Sequence, residues 1–213
     1  MGCIPHIPNP DEHSPGKKYT KFLIVLEILY AILVAWGFAR IAEFFVFENP
    51  YNWAGLLVAA FVLIRFFFAP SHNVGGLIRS THITIGKARF IIFFDIPVLL
   101  AHSLIYYRLC YNLSLKEYEL FYLYLAFLLL LNAGWLVTIR FRMRREGVNT
   151  PGKFCLWINN NLIFSILLLA CYAAYKFTGM FSFSAFFWAS FAIAMTNCVV
   201  DLSSCALNYF EEA

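Results

Sequence analysis

Six stretches of the chain are apolar almost without interruption, and short polar segments separate them. They run approximately over Phe22–Phe47, Asn52–Ala69, Ala88–Tyr111, Tyr118–Ile139, Cys155–Phe177 and Phe181–Tyr209. A membrane-crossing helix needs about 20 mostly apolar residues, so each stretch predicts one span. Glu48-Asn49-Pro50, Pro70-Ser71-His72 and Asn149-Thr150-Pro151-Gly152 supply turn chemistry between stretches. Phe177-Thr178-Gly179 is a weaker break, which leaves a pair of re-entrant segments as the alternative for the last two. Alternating apolar and polar positions over strand lengths do not occur, which excludes a membrane barrel. The expected fold class is therefore all-α: a polytopic integral membrane bundle of about six helices over residues 22–210. A polar, Pro-rich tail over residues 1–21 precedes it.

Composition points the same way. The 213 residues are 62% hydrophobic and 13% charged, with a mean hydropathy of +0.71. A soluble domain averages about 45–50% apolar and about 25% charged residues. A soluble fold of this size could not hide so much apolar surface behind so few charges. The 24 Phe, 12 Tyr and 5 Trp suit hydrocarbon and its interface.

Charge then sets direction. If the N-terminus is cytoplasmic, that side collects Lys17, Lys18, Lys21, Arg65, Arg79, Lys87, Arg89, Arg140, Arg142, Arg144, Arg145 and Lys153, twelve of the sixteen Lys and Arg. Arg40, Arg108, Lys116 and Lys176 fall on the other side. The split follows the positive-inside rule and predicts both termini in the cytoplasm. Tyr51, Tyr106, Tyr107, Tyr111, Tyr118, Tyr122 and Tyr175 gather at the outer boundary, as interfacial tyrosines do. The expected location is a multi-pass position in a bacterial or archaeal inner membrane.

Neither terminus nor cysteines add chemistry. MGCIPHIPNPDEHSPGKKYTK has no apolar core of a signal peptide, and His6 stands where a myristoylation pattern wants Ser or Thr. The six cysteines form no CxxC pair, and most lie in apolar runs as small buried side chains. No disulfide framework, zinc site or other metal site is expected. Two cytoplasmic connections, 73–87 (NVGGLIRSTHITIGK) and 140–153, carry scattered basic residues. Arg79, Lys87, Arg89, Arg140, Arg142, Arg144 and Arg145 are the candidates for contact with anionic lipid or a cytosolic protein. Nucleic acid is not expected as a partner, and Gly75-Gly76 belongs to no phosphate-binding loop.

One stretch breaks the pattern: IIFFDIPVLLAH, Ile91 to His102, with an aspartate inside an apolar run. Asp95 lies six residues beyond Arg89, or roughly 9 Å along a helix. The other stretches carry polar groups at a similar depth: Glu27, Arg65, Asn132, the run Asn159, Asn160 and Asn161, and Asp201. Asn197, Asp201, Ser204 and Asn208 recur at spacings of four, three and four, one helix face. A polar layer in the cytoplasmic half follows, facing inward because lipid would penalise each group. His102 shares a face with Asp95 and is a candidate relay toward the midplane. Pro97 is expected to bend the helix and free a carbonyl.

Glu27, Asp95 and Asp201 outnumber the layer's one expected cation, Arg65. A structural reading pairs Arg65 with Asp95 or Asp201 and has the layer fix helix packing. A functional reading gives a surplus carboxylate to a cation or a proton. No GxSxG, HExxH or Asp-rich metal motif occurs, so no catalytic residue, enzyme activity or cofactor is expected. Ala31, Ala35 and Ala39 form a small-residue stripe that allows close helix approach, within the chain or in a homo-oligomer. Two functions remain. One is an oligomeric ion or proton channel or carrier using the layer. The other is a non-transporting anchor or sensor subunit for a cytosolic partner, by analogy with defence or signalling complexes.

Overall fold

Asn49 starts the first well-defined helix. Its side-chain oxygen accepts the Tyr51 amide at 2.9 Å and its carbonyl accepts the Asn52 amide at 3.0 Å. Both serve amides that a helix start leaves without partners. In the computed structural model, residues 28, 31–32, 34–37, 39–40, 49–79, 94–145 and 152–210 are described. Side chains are described throughout these except at 66–79, 143, 152–154 and 204–210. The described residues are helical apart from short turns. The helices are α1 (Pro50–Arg79), α2 (Ile96–Ser114), α3 (Tyr118–Arg145), α4 (Gly152–Thr178) and α5 (Phe183–Phe210), with further helical residues between Ile28 and Arg40.

Among the described residues, three helices are long and apolar enough to cross a membrane: Tyr118–Arg142 of α3, Cys155–Thr178 of α4 and Phe183–Ser203 of α5. Consecutive helices pack side by side, and α5 returns to lie against α1, which closes a ring. The connections are tight. Lys116, at φ 62°, reverses the chain between α2 and α3, and Gly179, at φ 63°, does so after α4. The left-handed conformation is the one glycine adopts without penalty. Hydroxyls then tie helices to one another: Tyr106 donates to the Ala59 carbonyl at 3.2 Å, and Ser165 to the Ala126 carbonyl at 2.8 Å.

Each buried face follows helical spacing. On α1 it is Ala54, Val58, Val62 and Arg65; on α4 it is Trp157, Asn161, Ser165 and Leu168; on α5 it is Ser190, Ala194, Asn197 and Asp201. All three faces turn from apolar or small to polar toward the same end of the ring. The opposite end is aromatic. The Tyr51 ring lies 4.6 Å from that of Phe187, Tyr118 lies 5.3 Å from Phe187, and Tyr175 stacks on Phe186 at 4.7 Å. Such ring pairs add to their area burial. Tyr118 also accepts from Asn49 at 3.2 Å and donates to Asn52. Tyr51, Tyr118 and Tyr175, three of the seven tyrosines assigned to one boundary from sequence, thus share one end.

Several expectations change. Pro70 does not end its helix: α1 continues to Arg79. Proline removes one backbone bond, and a helix with packed neighbours tolerates that loss. The segment 73–87 is thus helical as far as Arg79, and its remainder lies outside the described residues. Pro97 is the second residue of α2, but Phe94 and Asp95 before it are π-helical and Asp95 keeps helical dihedrals, φ −65° and ψ −37°. The proline thus sits where the helix changes type, a usual place for a bend, and the stretch before Phe94 lies outside the described residues. The alanine stripe packs little within the chain, since Ala35 and Ala39 are exposed, which leaves contact with another copy as its expected use. Gly37, on another side, packs within the chain: a Cβ there would stand 3.4 Å from the Tyr107 backbone.

Gly55 marks a close approach between α1 and α2. A Cβ added there would collide with the buried Leu113 side chain, whereas one added at Gly134 of α3 meets nothing within 4 Å. Gly55→Val should lower stability by about 1–3 kcal/mol, the usual cost of overpacking. Gly134→Ala should raise it by roughly 0.5–1 kcal/mol through helix propensity. Unfolding in detergent measures both, and equal effects at the two sites would refute the close approach.

Candidate functional site: two buried ion pairs

Arg65 stands on the inward face of α1, one turn beyond Val62, so its guanidinium enters the ring. Its Nε lies 2.6 Å from Asp201 Oδ2 and its Nη2 donates to Asp201 Oδ1 at 3.1 Å. This two-bond fork is the strongest geometry available to an arginine and a carboxylate. Nη2 also donates to Asn161 Oδ1 at 2.7 Å, and Nη1 donates to Asn197 Oδ1. Asn160 adds a donor to Asp201 Oδ1 at 3.4 Å. Side-chain exposure is 6% for Arg65 and 11% for Asp201, so water contributes little to solvating either charge. Here α1 meets α4 and α5 across 96 to 136 residues of chain.

The asparagines have assigned orientations for a physical reason. An amide oxygen must face the guanidinium at Asn161 and Asn197, and an amide nitrogen must face the carboxylate at Asn160. Asn161 Nδ2 then turns to the Trp157 carbonyl at 2.8 Å. Asn160 Oδ1 and Asn197 Nδ2 remain buried without a hydrogen-bond partner among the described residues.

Asp95 belongs to a second cluster. The Trp135 indole donates to its Oδ1 at 3.0 Å, and Arg142 Nη1 lies 3.1 Å from its Oδ2. His102 donates from Nδ1 to the Val98 carbonyl at 2.8 Å and meets the Trp135 ring edge-on at 5.9 Å. Trp135 and Trp157 share a small apolar cluster with Leu136 and Ile139, packed by Phe94, Val98 and Leu99. Trp135 bonds Asp95 directly, and the Trp157 carbonyl reaches the Arg65–Asp201 pair through Asn161, so this apolar cluster adjoins both.

The polar layer is therefore two centres. Arg65, Asn160, Asn161, Asn197 and Asp201 come together in one; Asp95 and His102 lie in the other. Arg65 does not pair with Asp95. Arg142 was expected among the lipid-facing arginines, but its side chain is 15% exposed and turned onto Asp95. It supplies the second cation that the charge count lacked. Asn159 is exposed, and half-buried Asn132 makes no hydrogen bond among the described residues. Asn132 is only one turn from Trp135, which bonds Asp95, but its side chain joins neither centre. Glu27, Lys87 and Arg89 lie outside the described residues, as do the side chains of Arg79, Ser204 and Asn208.

Trp135 is the participant missed from sequence. A tryptophan well inside an apolar run, away from the interface that its ring prefers, needs an acceptor for its N–H. That signal was present, though nothing in the sequence pointed to Asp95, forty residues earlier. Comparison with known proteins finds no family model matching this chain, no similar curated protein and no matching solved structure.

The pairing makes a crossed prediction. Arg65→Leu should cost about 3–5 kcal/mol by leaving a buried carboxylate unpaired. Adding Asp201→Asn should recover part of that loss, and adding Asp95→Asn should not. Conversely, Asp95→Asn should partly rescue Arg142→Leu. Melting temperatures in detergent decide it: equal rescue of Arg65→Leu by either aspartate change would contradict two separate centres.

Proposed function

We propose that the chain is a non-transporting membrane subunit that anchors or senses for a cytosolic partner. In this reading it has six spans, both termini in the cytoplasm, and a place in a bacterial or archaeal cell membrane. One observation carries the choice: both buried aspartates among the described residues are held by arginines. A cation or proton path requires a carboxylate that can exchange its counter-ion for the passing one. Asp201 is gripped by two guanidinium bonds and an asparagine, and Asp95 by a guanidinium and an indole. Opening either would expose an uncompensated buried charge, which costs several kcal/mol per ion. Such groups suit fasteners that hold helices in register better than stations for ions.

A second reading, a carrier for a small polar solute, draws support from Asn160 Oδ1 and Asn197 Nδ2. These offer a buried acceptor and donor beside the Arg65–Asp201 pair. A neutral solute with both a hydroxyl and a carbonyl would use both. The apolar character of α3, α4 and α5 supports the membrane setting common to both readings.

Two measurements test the proposal. Reporter fusions after Asn49, Ser114 and Thr178 should read as outside, and those after Ser80 and Gly147 as inside; a cytoplasmic signal at Ser114 would overturn the topology. Proteoliposomes should show no cation or proton flux above empty vesicles. Flux that disappears in a stably folded Asp201→Asn variant would instead establish the carrier or channel.

A further inference from the structure

The basic end of α3 divides in two directions. Arg142 turns inward to Asp95, while Arg144 and Arg145 are exposed and Arg140 is half-buried. Arg140 and Arg144 are four residues apart and so lie one above the other on a single face. Arg140 Nε is buried and has no hydrogen-bond partner among the described residues. The two Nη groups of the same guanidinium are not buried and make no hydrogen bond among the described residues, so an outside anionic acceptor can engage them. Next to it, Phe141 is 63% exposed, with the Arg145 guanidinium 5.8 Å from its ring centroid. The apolar window of α3 ends at Arg142, so the cationic pair and the exposed ring stand where that window stops.

We propose that Arg140 and Arg144 bind the phosphate of an anionic phospholipid headgroup, with Phe141 against its acyl chain. Arginine pairs with phosphate oxygens through two parallel bonds. A basic residue at the membrane surface gains from anionic lipid. An acidic soluble polymer would match the charge, but it would leave the exposed ring at the edge of the hydrocarbon with nothing to cover it. This inference rests on α3 crossing the membrane and is independent of whether the protein transports.

Native mass spectrometry of the full chain in neutral detergent, with phosphatidylglycerol and phosphatidylcholine added in equal amounts, tests it. Phosphatidylglycerol should be retained about tenfold more. The double variant Arg140→Gln/Arg144→Gln should bring the two lipids close to parity. Arg144→Gln alone, at an exposed position, should lower the preference about threefold even if the double variant folds poorly. Arg108→Gln removes the same charge from an exposed site at the other end of the bundle and should leave the preference intact. If Arg108→Gln weakens it as much as Arg144→Gln, only bulk charge is at work and the site does not exist. Parity in the unaltered protein also overturns the site. Binding of soluble polyglutamate at these arginines without lipid preference would assign the surface to an acidic macromolecule. Failure of the expressed protein to sediment with membranes would overturn the membrane reading instead.

Discussion

The structure depends on the Arg65–Asp201 clasp. Burying an arginine among apolar side chains is tolerable only when its whole guanidinium is engaged, because each unmade bond carries a desolvation cost. Asp201 takes one edge of the fork, and Asn161 and Asn197 accept from the rest. That requirement dictates where α1, α4 and α5 lie. Rotating any of the three by one residue, about 100°, would carry its partner away. Apolar packing alone is permissive about register, since one leucine face resembles another. The clasp removes that freedom at one end of the ring, and interlocking aromatic rings remove it at the other.

The Asp95–Arg142 pair does the same for α2 and α3. The two centres differ in their access to water: Arg142 is the more exposed of the two arginines and lies near the end of its helix. Between the ends, hydroxyl-to-carbonyl bonds from Tyr106 and Ser165 add direction to an otherwise greasy interior. The result is a scaffold whose two buried aspartates, among the described residues, are each spent on an arginine. Its outward chemistry is concentrated in the basic end of α3, and that distribution is what the proposed role builds on.

Much of this was legible in the residues. Hydrophobic runs located α3, α4 and α5 to within a few positions, because membrane-length apolarity is a strong signal. The face shared by Asn197 and Asp201 followed from spacing alone. Depth was legible too, since Arg65, Asp95, Asn161 and Asp201 all lie toward one end. Angular position was not. Nothing in one sequence says which face of α1 meets which face of α5, so one layer was expected where two centres exist. Arg142 was misread because its neighbours Arg140 and Arg144 belong outside, and a basic run reads as a single surface. Pro70 was misread because local chemistry favours a stop there, while the helix it sits in continues.

The clasp also has a history in time. Arg65 and Asp201 are 136 residues apart in the chain, and a ribosome adds roughly 5–20 residues each second. On the order of ten seconds therefore separate the emergence of the arginine from that of its counter-ion. Throughout that interval, in the six-span topology, α1 must be handed to the bilayer with a lone cation. On insertion scales an arginine at mid-helix costs about 2.5–3.5 kcal/mol. The short apolar length of α1, Pro50–Arg65 ahead of that charge, offsets little of it. In that topology α5, made after α1 to α4, brings the counter-ion that ends the isolation of the Arg65 charge.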